Sequence, residues 1–274
     1  MKTRLLTGIP AAMALIALVM WGSLGLLRLV VVLIGACAYL EFDALMFSRK
    51  SIVRKGTMFV LVAFQIFLMG GDHLTAFYSY ALITVLILGS GVLGQARSGQ
   101  FELALKEVTN QSLGFSYIVM MFGFLFNIVS WPDLGRTYLI LLFLIVFVGD
   151  TAAYFGGMKL GKRKLASEIS PKKTIEGSVT ALVASVIVTV LWVRFIYPEP
   201  MFPDRYWRII LATPVLSFLA QLGDLFESVL KRSQMQKDSG SFLPGHGGIL
   251  DRVDGLAFTT PVFYFCLYYL WETA

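Results

Sequence analysis

The chain has 274 residues, of which 57% are hydrophobic and 15% charged, with a net charge of +6. Water-soluble domains carry about 25% charged residues, so an ordinary cytoplasmic globule is excluded. At about 20 residues per crossing, nine membrane helices would take roughly 180 residues and leave little chain for anything else.

In chain order the apolar runs cover 6–24, 27–47, 57–71, 75–94, 111–130, 137–157, 178–197, 207–226 and 255–271. They are apolar on every face and show no alternation of period two. This predicts an all-α polytopic integral membrane protein with about nine transmembrane helices, not a β-barrel. The first run follows Lys2 and Arg4 and has the look of a secretory signal, but the spans behind it favour a retained helix. The third run is short enough to be tilted or re-entrant. With no internal repeat or Pro-rich linker, 1–274 is expected to be one membrane domain. Within it, 1–130 supplies N-terminal helices and 131–274 the catalytic helices and cytoplasmic loops.

Basic residues set the orientation. On one side of the alternating topology lie Arg28, Arg136, Arg194, Arg205 and Arg208, and the rest of the 23 Lys and Arg fall on the other. By the positive-inside rule the N-terminus is cytoplasmic and the C-terminus is not. The positive charge is thereby assigned to membrane orientation and anionic headgroups, and no nucleic-acid partner is expected. Cys37 and Cys266 sit in apolar runs, which indicates neither a disulfide framework nor a thiolate metal site.

Two Gly-, Ser- and Pro-containing connections on the basic side, 158–177 and 228–254, stand out as functional loops. The first follows Gly149, Asp150, Thr151, Ala152, Ala153, Tyr154, Phe155, Gly156 and Gly157. Asp150 falls about two turns inside the boundary, a costly position that asks for a partner. Ser170, Pro171, Lys172 and Lys173 then form a turn that aims cations at phosphate or at anionic lipid; a simple positive-inside anchor is the alternative. At the end of the eighth run Asp224, Glu227, Ser228 and Lys231 recur at i, i+3, i+4 and i+7, so one helix face is polar where lipid should be. The competing reading of Asp224 is an ion pair with Lys231 or another basic residue.

The ninth run opens Gly245, His246, Gly247, Gly248, Ile249, Leu250, Asp251, Arg252, Val253, Asp254. Glycines let backbone amides approach an anion, and a helix start favours carboxylate or phosphate; a turn before a capped helix reads equally well. The combination is more telling than any part of it. Carboxylates at 224, 227, 251 and 254 alternate with Lys231, Arg232, Lys237 and Arg252 on one predicted surface. Oxygen donors without Cys or several His suit a hard divalent cation, Mg2+ by preference, and adjacent cations suit a polyphosphate.

The run S-V-L-K-R-S-Q-M-Q-K-D-S-G-S-F-L-P-G-H-G-G-I-L-D-R-V-D from Ser228 to Asp254 resembles the signature of the phosphatidate cytidylyltransferases (CDP-diacylglycerol synthases). G-D-T-A-A-Y-F-G-G-M-K-L-G-K-R-K-L and I-S-P-K-K-T-I-E-G are similar to the region that precedes it in that family. Together they cover about a fifth of the chain. The resemblance implies cytidylyl transfer from CTP to phosphatidate, giving CDP-diacylglycerol and pyrophosphate for phospholipid biosynthesis, with Mg2+ as one ion or two. It implies metal ligation by Asp224 and Asp251, then Asp254 and Glu227. Lys231 and Arg232 join Asp224, Asp251 and Asp254 as catalytic residues, while Lys172, Lys173, Ser228, Lys237, His246 and Arg252 bind the substrates.

The partners so implied are CTP, phosphatidate and membrane lipid; the oligomeric state stays open, with a homodimer as one expectation because membrane enzymes of this size often pair. The expected location is a bacterial inner membrane with the active site facing the cytoplasm. Two other readings compete: a CTP-dependent lipid-alcohol kinase, which would release CDP instead of pyrophosphate, and a transporter using Asp150 and Asp224. The transporter predicts symmetry-related broken helices, and no repeat is present.

Overall fold

The computed structural model describes residues 14–47, 51–95, 100–196, 203–236, 239–240 and 247–272. Within them the chain is helical almost throughout. Residues 14–21 form α1, followed by α2 (Leu24–Met46), α3 (Ile52–Met69), α4 (His73–Gln95), α5 (Phe101–Val129), α6 (Gly135–Leu160), α7 (Ile175–Ile196), α8 (Pro203–Ser233) and α9 (Leu250–Phe265), which continues as a π-helix over Cys266–Glu272. Seven of these, α2 to α8, are long and apolar enough to cross a bilayer. The all-α membrane architecture predicted from the apolar runs is therefore present. Its exception is a small antiparallel hairpin, β1 (Lys164–Ala166) with β2 (Ser170–Thr174), inside the first of the two polar connections.

The chain forms two compact units. The first holds α1 to α5 and residues 234–251. α2 and α5 are its most buried helices, and Phe42, Phe115, Ile118 and Phe122 from their facing sides are almost wholly enclosed. α3 packs on both and α4 on α3 and α5, leaving the outer sides of α3 and α4 for lipid. Helix starts follow local capping chemistry: the Ser51 hydroxyl accepts the Arg54 amide at 3.3 Å, and Asp72 Oδ1 accepts the Thr75 amide at 2.9 Å. The Thr75 side chain first, and then its amide, hold the Asp72 carboxyl below the usual carboxylate range.

The second unit holds α6, the hairpin, α7, α8 and the chain from Arg252. α6 and α7 run close together because small residues line their contact: a Cβ on Gly177 would sit 2.7 Å from the Ala153 carbonyl oxygen and 3.1 Å from Gly157 Cα. Hydroxyls join the helices inside this unit. Ser185 donates to the Ile145 carbonyl at 2.9 Å and to the Ser217 hydroxyl at 3.1 Å, Thr213 donates to Thr189 at 3.2 Å, and Thr259 donates to the Leu216 carbonyl at 3.3 Å. In hydrocarbon such bonds hold helices together where the hydrophobic effect offers no net drive. Trp131, Tyr138, Tyr264 and Tyr268 cluster with ring centroids 5.6 to 6.4 Å apart, the composition of a membrane-interface belt.

Candidate active site

The second unit gathers acidic side chains from three helices. Asp150 comes from α6, Asp224 and Glu227 from α8, and Asp254 from the first turns of α9. Close approach of α8 and α9 makes the cluster: a Cβ on Gly223 would collide with the Asp254 carbonyl oxygen, and one on Gly255 would lie 3.7 Å from Asp150 Oδ2. Asp150 lies within electrostatic reach of Asp224 and Lys173, and Asp254 within reach of Asp224, Glu227 and Asp150. Asp254 precedes the predicted ninth span. Burial first, then the Asp224 and Glu227 carboxylates, hold its carboxyl well above the ordinary carboxylate range, against a 2.7 Å bond from the Gly255 amide that favours the charge.

Two lysines answer these carboxylates. Lys173 Nζ meets Asp224 Oδ2 at 2.5 Å, and Lys231 Nζ meets Glu227 Oε2 at 2.5 Å, with the Glu227 side chain fully enclosed. The helix through α8 continues to Ser233, so the one-face spacing of Asp224, Glu227, Ser228 and Lys231 holds. The hairpin carries both lysines of this connection: on β2 Lys172 is exposed, while Lys173 is half-buried and reaches Asp224. Glu176 anchors the hairpin by accepting the Lys162 and Arg163 amides at 2.9 and 3.2 Å.

The remaining sequence-predicted residues lie elsewhere. Ser228 is half-buried and Arg232 and Arg252 are exposed. Asp251 belongs to the first unit, where its Oδ2 accepts the Ser239 amide and hydroxyl at 3.0 and 2.9 Å and the Gly248 amide at 2.9 Å. The Gly248 amide, expected to be available to an incoming anion, is thus turned to the chain's own carboxylate. Lys237 and His246 fall outside the described residues.

Among the described residues no group of three or more His, Cys, Asp or Glu closes around a point that would hold a metal ion. The donor set of the second unit nevertheless suits a hard cation. Its donors are carboxylate oxygens, and Lys173 and Lys231 supply the positive charge beside them. Asp150 stands out in the sequence for its depth about two turns inside a predicted span, but it is not among the sequence-predicted site residues.

The model of the cytidylyltransferase family matches residues 2–270. The phosphatidate cytidylyltransferase of Bacillus subtilis (strain 168) is 36% identical over 275 residues, covering 97% of both chains. That of Staphylococcus haemolyticus (strain JCSC1435) is 33% identical over 266 residues, 96% of this chain and 97% of its own. The Staphylococcus aureus (strain COL) protein of the same name is 44% identical over 140 residues, 51% of this chain and 52% of its own.

Proposed function

The chain belongs to the cytidylyltransferase family, and we infer from that membership that it transfers the cytidylyl group of CTP to phosphatidate, giving CDP-diacylglycerol and pyrophosphate. It is a membrane-embedded nucleotidyltransferase of phospholipid biosynthesis. The observation that carries the site assignment is the meeting of Asp150, Asp224, Glu227 and Asp254 with Lys173 and Lys231 inside one unit.

In this reading Asp224, Glu227 and Asp254 hold Mg2+, as one ion or two, and Asp251 is carried as a further ligand on the motif alone. The bound ion would supply Lewis-acid stabilisation of the negative charge on the reacting phosphates. The chain's own residues orient and neutralise. Lys173 and Lys231, released from their carboxylate partners when polyphosphate enters, offer ammonium groups to it, and Lys172, Arg232, Lys237, His246 and Arg252 add positive or donor groups around the two substrates, with Ser228 as a hydroxyl donor. A phosphatidate oxygen attacks the α-phosphorus of CTP, the bond to the β-phosphate oxygen breaks, and pyrophosphate leaves. No protein nucleophile is required, and the lipid phosphate, ionised near neutral pH, needs no general base.

The finer location follows from charge. Lys-rich connections on one side support an active site at the cytoplasmic face of a bacterial inner membrane, where soluble CTP and the lipid headgroup would meet. A homodimer is part of the same proposal and is tested by the mass of the detergent-solubilised particle. The reaction is tested with purified protein, phosphatidate, Mg2+ and CTP labelled at the α-phosphate. Label in the lipid fraction with release of pyrophosphate supports the assignment; label that stays in CDP while the γ-phosphate enters lipid would identify a kinase instead.

A further inference from the structure

Leu250, in the first unit, is fastened to α2 by a carboxylate to which the proposed reaction gives no role. Glu41 lies inside the apolar α2 and is only 8% exposed. Its Oε2 accepts the Leu250 amide at 3.0 Å across 209 positions of sequence. Leu250 is the first residue of α9, so this amide is one of those at a helix start that have no intrahelical acceptor. A carboxylate there also meets the positive end of the helix dipole.

The fit extends beyond one bond. A Cβ on Gly240 would stand 2.8 Å from Glu41 Oε1, and one on Gly248 would stand 2.6 Å from Glu41 Oε2 and would strike the Ser239 hydroxyl. The backbone therefore presses on the carboxylate from two places where only glycine leaves room. Beside it, the bonds that Asp251 Oδ2 accepts from Ser239 and Gly248 close the segment on itself.

We propose that Glu41 is a positioning residue for cytidylyl transfer: from α2 it fixes Gly240, Gly248 and Leu250, and with them the carboxylate of Asp251. The inference rests on the reading of 228–254 as substrate- and metal-binding sequence. A displacement of about 1 Å at reacting groups can cost on the order of a hundredfold in rate, so a small slackening here is enough to matter.

The full chain is purified as wild type, Glu41→Gln, Glu41→Leu and Gly248→Ala. Gln keeps an acceptor oxygen at the same reach, Leu removes it at similar volume, and Gly248→Ala drives a methyl against an unchanged Glu41. Glu41→Leu and Gly248→Ala should each lower kcat by about tenfold or more while KM for CTP moves by less than about threefold, and Glu41→Gln should stay within about threefold of wild type. Amide exchange over 239–251 should quicken in the two impaired variants and stay unchanged over α4. Wild-type exchange and kcat in Gly248→Ala, a Gln variant no better than Leu, or quickened exchange with unchanged kcat would each overturn the proposal. Where Glu41→Leu fails to fold, Gly248→Ala and Glu41→Gln decide it. A wild-type protein that transfers no label would instead sink the function, and the exchange data would still report whether Glu41 holds the segment.

Discussion

Lys231 stands against a Glu227 carboxylate that has no exposure at all. Removing one partner of a buried pair leaves the other charge desolvated and typically costs about 3 to 5 kcal/mol, so Lys231→Ala should lower the melting temperature sharply in detergent. The joint variant Glu227→Gln with Lys231→Met should regain most of that stability and no activity, which separates folding from chemistry. A joint variant that stays active would remove both residues from the proposed site. The two neighbouring lysines of the hairpin should differ in the same way. Lys173→Ala, losing the group on Asp224, should cost on the order of a hundredfold in kcat, whereas Lys172→Ala, exposed on β2, should cost less than about threefold. Equal effects would contradict the inward placement of Lys173. Sequence spacing put Glu227 and Lys231 on one helix face but offered Lys231 or another basic residue to Asp224; the structure pairs Lys231 with Glu227, four residues away, and gives Asp224 to Lys173. Spacing could not choose between Lys172 and Lys173, because that choice depends on the strand register of a hairpin of three- and five-residue strands rich in charge.

At the scale of elements, the apolar runs located the helices, and their errors have a common cause. α5 begins at Phe101, ten residues before the predicted run at 111, and α8 ends at Ser233, beyond 226. Hydropathy reports only the hydrocarbon cross-section, whereas these helices continue into the polar layer through Glu102, Lys106 and Glu107 at one end and Glu227, Lys231 and Arg232 at another. The small residues Gly156 and Gly157 lie on the α6–α7 contact. Gly177→Leu should wedge that contact and lose about 1 to 3 kcal/mol, while Gly89→Ala, with nothing within 4 Å in α4, should be neutral or gain up to about 1 kcal/mol. Thermal unfolding of the two variants under one detergent condition checks both signs, and a Gly177→Leu protein as stable as wild type would refute the tight crossing.

For the whole molecule, orientation rests on charge asymmetry and is open to direct labelling. In a background with Cys37 and Cys266 replaced, Lys164→Cys in the exposed hairpin should react with a membrane-impermeant maleimide in inside-out vesicles and not in intact cells. Labelling in intact cells would reverse the topology. Much of the candidate site was legible because its polar groups interrupt apolar helices, which is costly without a purpose. Glu41 was not, because an acid near a span end has many ordinary explanations and its partner lies 209 positions away.

The proposed chemistry needs the acidic cluster of the second unit to grip a divalent cation. The most direct test is Mn2+ binding, read by electron paramagnetic resonance on purified protein without substrate, in wild type, Asp224→Asn and Asp254→Asn. The wild type should bind Mn2+ that Mg2+ displaces, and each variant should bind it with affinity lower by about tenfold or more. Wild-type affinity in both variants would contradict the assignment.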